Sequence, residues 1–104
     1  MTKPDSILSQ FLTALTALYG KRIDRVVLFG SRARGDARPD SDYDVAVFLD
    51  DMADRWQEID KIVEVAVQIL IETGAVINAL PFKTEAYDER TPLMHEIRRE
   101  GLEL

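Results

Sequence analysis

Apolar residues recur at three- and four-residue intervals near the start of the chain: Leu8, Phe11, Leu12, Leu15, Leu18 and Tyr19. That spacing predicts an amphipathic helix. Pro4, Asp5 and Ser6 ahead of it form a helix-start signature, and Gly20 ends it. The pattern then becomes continuous. Residues 25–29 (RVVLF) are a β-branched and apolar run that predicts a buried strand. Residues 30–35 (GSRARG) read as a tight turn into one or two helical turns, and residues 36–41 (DARPDS) as a loop. Residues 42–49 (DYDVAVFL) predict a second strand, closed by Asp50 and Asp51. Asp54 is placed to start a helix whose apolar stripe is Trp56, Ile59, Val63, Ala66, Val67 and Leu70, with Thr73 and Gly74 at its end. Residues 75–82 (AVINALPF) predict a third strand, stopped near Pro81. A last helix is expected from Pro92 to about Glu100, with Leu93, Met94 and Ile97 toward the core.

The order helix, strand, short helix, strand, helix, strand, helix gives an α/β (α+β) fold. We expect a small mixed three-stranded sheet flanked by helices. The 104 residues suit one domain over 1–104 and leave no room for a second.

Composition narrows the function classes. The net charge is −6 and the pI about 4.7. An acidic surface repels phosphodiester backbones, so direct nucleic-acid binding is not expected. A basic protein partner, or a small anion drawn to a local basic loop, suits it better. The chain has no cysteine, which removes disulfides and thiolate metal sites. It shows no signal-peptide pattern and no run of about 20 apolar residues, so the expectation is a cytoplasmic protein without a membrane partner.

Two places carry candidate chemistry. The first strand stops at Gly30 and turns into a helix start. Such a turn offers free backbone N–H groups to phosphate oxygens, glycine lets the phosphate approach, and Ser31 adds a hydroxyl. Arg32, Arg34 and Arg38 make this the most basic stretch of the chain. On the second strand, Asp42 and Asp44 are two apart and share a face, about 7 Å apart at Cα. Paired carboxylates suit a hard divalent cation, Mg²⁺ or Mn²⁺, usually shared with substrate phosphates. A plain turn and two solvated aspartates would look the same if either were taken alone.

Together, Gly30-Ser31, ten further residues, then Asp42-x-Asp44 resemble the signature of the DNA polymerase β-like nucleotidyltransferase superfamily. More narrowly, GSRARGDARPDSDYDVAVFL looks like a minimal nucleotidyltransferase (MNT) domain. The resemblance implies the polymerase β-like fold, with Gly30 and Ser31 holding the phosphates of a nucleoside triphosphate, expected to be ATP; the neighbouring basic Arg32 and Arg34 are added as nucleotide-binding candidates. It makes Asp42 and Asp44 the catalytic metal ligands. Family members usually place a third carboxylate on the third strand. Here Asn78 stands at that position, isosteric with aspartate but neutral and unable to accept a proton. Glu72 and Glu85 are the nearest carboxylates in sequence that could compensate.

MNT proteins of this size are typically antitoxins paired with a HEPN-domain RNase toxin. The resemblance therefore implies Mg²⁺-dependent transfer of AMP from ATP to a toxin tyrosine. Two alternatives stay open: a catalytically degenerate domain that neutralises its partner by binding, and transfer to a small molecule. A homo- or hetero-oligomer is compatible with each.

Other residues are assigned structural roles. His95 is the sole histidine and has no nameable partner group. Trp56 falls on its helix's apolar stripe and reads as core. Tyr43 should point away from the aspartates. Arg90, Arg98 and Arg99 read as a solvated face or a partner contact.

Overall fold

The computed structural model describes residues 6–104. Pro4 and Asp5 of the helix-start signature lie outside the described residues. Helix α1 (Ser6–Tyr19) leads through a 3₁₀ turn (Gly20–Arg22) into strand β1 (Ile23–Phe29). A one-turn helix α2 (Ser31–Arg34) and a loop bring the chain back as β2 (Tyr43–Leu49). Helix α3 (Arg55–Thr73) crosses over to β3 (Ile77–Lys83). A 3₁₀ segment (Thr84–Asp88), helix α4 (Pro92–Glu100) and a two-residue strand β4 (Leu102–Glu103) complete it. No described helix is long and apolar enough to cross a membrane.

Among the described residues the sheet is mixed and has four strands, in the order β3-β2-β1-β4. β1 and β2 are antiparallel, β2 and β3 parallel, β1 and β4 antiparallel. The parallel pair needs a crossover, and α3 is that crossover. The expected three strands are thus corrected to four. β4 escaped prediction because two residues carry no alternation. It is held by the Leu104 N–H donating to the Val26 carbonyl at 2.9 Å and by an Arg25–Glu103 ion pair at 2.9 Å. Gly101 lets the chain enter β4, since a side chain there would overlap Val27 and the Ile97 carbonyl.

Helix boundaries follow local chemistry. The Asp54 carboxylate accepts from the N–H groups of Trp56 (3.0 Å) and Gln57 (3.4 Å), and Gly74 closes α3 in a left-handed conformation. The Thr91 hydroxyl caps α4 through the Met94 N–H, with Pro92 next in line. The third strand does not stop at Pro81 but runs through it to Lys83. β3 is an edge strand, where a residue without an N–H is tolerated.

Strand alternation divides the core. Val26, Leu28, Tyr43, Val45, Val47, Leu49 and Ile77 pack against α1 and α3 on one face. Val27, Phe29, Ala46 and Phe48 pack on the other against Met94 and Ile97 of α4, with Phe82 and Tyr87 beside them. Tyr43 therefore points away from the aspartates, into the α1–α3 core.

Helix α3 corrects one expectation. Its buried residues are Glu58, Ile62 and Ile69, while Trp56, Val63, Val67 and Leu70 are exposed. The helix is rotated by roughly 110–120° from the predicted stripe. Glu58 explains the misreading, because a carboxylate on the buried line interrupts the apolar pattern. It is stabilised there by Arg22 at 3.0 Å and Lys61 at 3.2 Å. The Tyr19 hydroxyl donates to the Glu58 carbonyl at 3.4 Å. Burial first, and the Glu58 charge second, push the Tyr19 phenol up to about 12.

Candidate nucleotide site

The strand register assembles the site. Phe29 pairs with Asp44 across β1 and β2, and Asp44 pairs with Asn78 across β2 and β3. One row of the sheet thus runs Phe29, Asp44, Asn78, with Gly30 directly after Phe29. Asp42 lies one residue ahead of β2, not within it. Asp44 shares its face with Ala46 and Phe48, so the row faces the α4 side of the sheet.

Gly30 is the pivot. Its φ of 74° is left-handed, and a Cβ there would overlap the Asp44 carboxylate. Its carbonyl accepts from the N–H groups of Ala33 and Arg34, both at 3.1 Å, which closes α2. The N–H groups of Ser31 and Arg32, in the first turn, have no acceptor within the helix. The half-buried Ser31 starts this turn directly after Gly30, the residue whose Cβ position abuts Asp44. Sequence and structure agree that glycine is required here, and the structure adds that the required approach is to Asp44.

The arginines beside this turn are engaged elsewhere. Arg32 donates to the Ser41 carbonyl through Nε (3.0 Å) and Nη2 (2.7 Å), and to the Pro39 carbonyl at 3.2 Å. It also stacks over the Tyr43 ring, 3.9 Å from its centroid. Its hydrogen bonds fix the loop that delivers Asp42. Arg34 reaches Asp36 (3.4 Å), Glu96 (3.4 Å) and Glu100 (3.5 Å), tying α2 to α4. The Asp36 carboxylate, with Glu100 adding to it, raises the Arg34 pKa and keeps it a fixed cation one turn from Ser31.

Asn78 donates from Nδ2 to the Asp42 carboxylate at 2.9 Å. This one bond sets the orientation of Asp42 from the neighbouring strand. Among the described residues no cation pairs with Asp42 or Asp44, and no three carboxylate, imidazole or thiol side chains converge. Two uncompensated carboxylates beside a turn that a side chain would obstruct suit a hard divalent cation and a phosphate. Neither candidate substitute for a third carboxylate is in place. Glu85 follows the far end of β3, more than 15 Å along the strand from Asn78. Glu72 is bonded to Gln68 on the exposed side of α3.

Arg98 is not part of a solvated face, as its guanidinium donates to the carbonyls of Tyr87 and Glu89 and holds the 3₁₀ segment to α4. His95 is exposed and, with Arg34, Pro92, Glu96, Arg99 and Glu100, lines an open cavity of about 540 Å³ between α2 and α4. Sequence gave no signal for that juxtaposition, because it depends on how α4 packs.

Comparison with known proteins gives a consistent picture. A family model described as nucleotidyltransferase domain matches residues 8–96. Putative protein adenylyltransferase MJ0604 of Methanocaldococcus jannaschii is 30% identical over 86 residues, covering 83% of this chain and 80% of that protein. A toxin–antitoxin crystal structure with AMP-PNP superposes with a TM-score of 0.61 at 21% identity, over 89% of this chain and 68% of that one. A variant of the toxin–antitoxin MntA–HpeT also gives 0.61, at 18% identity, over 88% and 68%. Both structural likenesses speak for the shared fold.

Proposed function

Because the chain belongs to the nucleotidyltransferase domain family, we propose that it is an antitoxin-type protein adenylyltransferase. In this reading it moves AMP from ATP to a tyrosine hydroxyl of a HEPN-domain RNase toxin and so silences it. The observation that carries the reading is the convergence of Gly30, whose Cβ position abuts the Asp44 carboxylate, with Asp44 and Asn78, paired across β2 and β3, and with Asp42, hydrogen-bonded to Asn78. The adenylyltransferase relative supports the transferred group, and the toxin–antitoxin neighbours support the kind of acceptor.

The roles follow from the chemistry of each group. The Ser31 hydroxyl and the N–H groups of Ser31 and Arg32 bind phosphate oxygens. Asp42 and Asp44 hold Mg²⁺, or Mn²⁺, which supplies positive charge against the phosphoryl oxygens when bound. The tyrosine oxygen attacks the α-phosphorus in line, the bond to the β-phosphate oxygen breaks, and pyrophosphate leaves. The phenolic proton goes to solvent, because Asn78 cannot take it. Asn78 serves instead to hold Asp42.

Intact-mass spectrometry tests the proposal. The protein encoded beside this one is incubated with the chain, ATP and Mg²⁺. A mass gain of one or more AMP groups is expected, and it should vanish with Asp44→Asn. Asn78 also favours a second reading, a degenerate domain that neutralises by contact alone. An unchanged partner mass within a stable complex would select it. Transfer to a small molecule would instead need an acceptor found without any protein partner.

A further inference from the structure

Asp42 is held in place without a strand of its own. It lies one residue ahead of β2, and the loop that delivers it, residues 36–41, belongs to no helix or strand. A loop has no ladder to fix its course, so other groups must satisfy its backbone and hold it.

The loop is first folded on itself. The Ser41 N–H donates to the Arg38 carbonyl at 3.0 Å, and the Ser41 hydroxyl accepts from the Arg38 N–H at 2.8 Å. Arg32 then grips the folded loop from α2. Its Nη2 donates to the carbonyls of Ser41 (2.7 Å), Pro39 (3.2 Å) and Arg38 (3.5 Å), and its Nε donates again to the Ser41 carbonyl at 3.0 Å. The guanidinium carbon sits 3.9 Å from the centre of the Tyr43 ring. Ser41 and Tyr43 are the two neighbours of Asp42 in the chain. One side chain therefore holds the backbone on both sides of Asp42. The Tyr43 N–H is anchored in turn to the Val76 carbonyl at 2.9 Å, and Asn78 holds the Asp42 carboxylate itself at 2.9 Å.

Three roles for Arg32 make different predictions. A phosphate ligand would lose nucleotide affinity when removed, with no change toward a metal ion alone. A cation that merely lies near Asp42 repels a second cation, so its removal would tighten metal binding. A group that fixes a metal ligand does the reverse, and its removal weakens metal binding. The observed contacts favour the third role, because the guanidinium is turned to the loop carbonyls.

We propose that Arg32 is a positioning residue for the metal site: its side chain fixes the loop and with it Asp42, while its N–H serves the phosphate. The inference rests on the reading of Asp42 as a metal ligand above. The grip uses both the fork and the plane of a guanidinium, and lysine offers neither.

The probe is Mn²⁺ alone, added to the full chain and followed by the paramagnetic resonance signal of the free ion. Arg32→Gln should weaken Mn²⁺ binding at least fivefold with unchanged circular dichroism. Arg32→Lys should weaken it too, although the charge is kept. Saturating Mn²⁺ should restore kcat for AMP transfer, with the KM for ATP near that of the parent. Arg98→Ala removes another arginine that holds backbone carbonyls, and it should bind Mn²⁺ as the parent does. An equal loss there would mean general loosening and overturn the proposal. Tighter Mn²⁺ binding by Arg32→Gln, or unchanged Mn²⁺ binding with weaker ATP binding, would overturn it and leave the enzyme reading intact. If Arg32→Gln does not fold, Arg32→Lys decides, and parent-like Mn²⁺ binding by it overturns the proposal. If Mn²⁺ binding weakens as expected but the parent never transfers AMP, the positioning role stands and the enzyme reading fails. A parent that binds no Mn²⁺ overturns both.

Discussion

At the scale of single residues, the site depends on two substitutions that look conservative and are not. Gly30 must be glycine twice over, for its φ of 74° and for the space Asp44 occupies beside it. Gly20 is the internal control, since its φ is 55° but nothing lies within 4 Å of a Cβ there. Gly20→Ala is expected to cost only the backbone strain, about 1 kcal/mol. Gly30→Ala should cost about 2–3 kcal/mol and cut AMP transfer more than tenfold, because φ 74° with ψ −157° is all but closed to alanine and the Cβ would also displace a proposed metal ligand. Urea unfolding and the transfer assay measure the two effects, and equal costs with equal activity would remove Asp44 from the explanation. Asn78 is the second case. Without a carboxylate to take the proton, transfer by the parent should speed up with pH as the acceptor phenol, with its ordinary pKa near 10, ionises. Asn78→Asp should raise the rate near neutrality and flatten that profile. A steeper or unchanged profile would mean that the proton leaves by another route.

At the scale of elements, local signals were legible in the sequence and facing was not. Asp54 and Gly74 marked α3 correctly because caps act within one turn. Asp54→Ala should therefore cost about 1 kcal/mol by chemical denaturation, without changing transfer. The rotation of α3 was misread because two apolar lines run along it, and the core line contains Glu58. That carboxylate is acceptable only because Arg22, 36 positions earlier, meets it at 3.0 Å. No periodicity analysis registers a compensation so distant in sequence. The Gly30-Ser31 and Asp42-x-Asp44 pair was legible for the opposite reason. The spacing of the motif is read within a few residues of chain, although Asp42 proves to lie just ahead of β2 and to be oriented by Asn78 rather than by strand alternation. The engagement of Arg32 with the loop and of Arg34 with α4 was hidden, since both depend on packing.

At the scale of the whole molecule, the sheet separates stability from chemistry. The α1–α3 face holds most of the buried side chains and the Tyr19–Arg22–Glu58–Lys61 cluster. The α4 face carries Asp42, Asp44 and Asn78 at one end. The two can therefore be perturbed independently. Tyr19 supplies a clean handle, because its phenol is raised from 10.0 to about 12 by burial and by Glu58. Between those pH values the unfolded chain has lost a proton that the folded chain keeps. Stability from this source is complete below pH 10 and is lost as pH rises through 12. Tyr19→Phe should remove that part of the alkaline decline, seen as a flatter unfolding midpoint from pH 10 to 12. Its AMP transfer below pH 9 should match the parent, since the ring lies on the face away from the proposed site. A variant that gained alkaline stability but lost transfer would show that the two faces are coupled through β2, the strand whose residues alternate between Tyr43 in one core and Asp44 in the site.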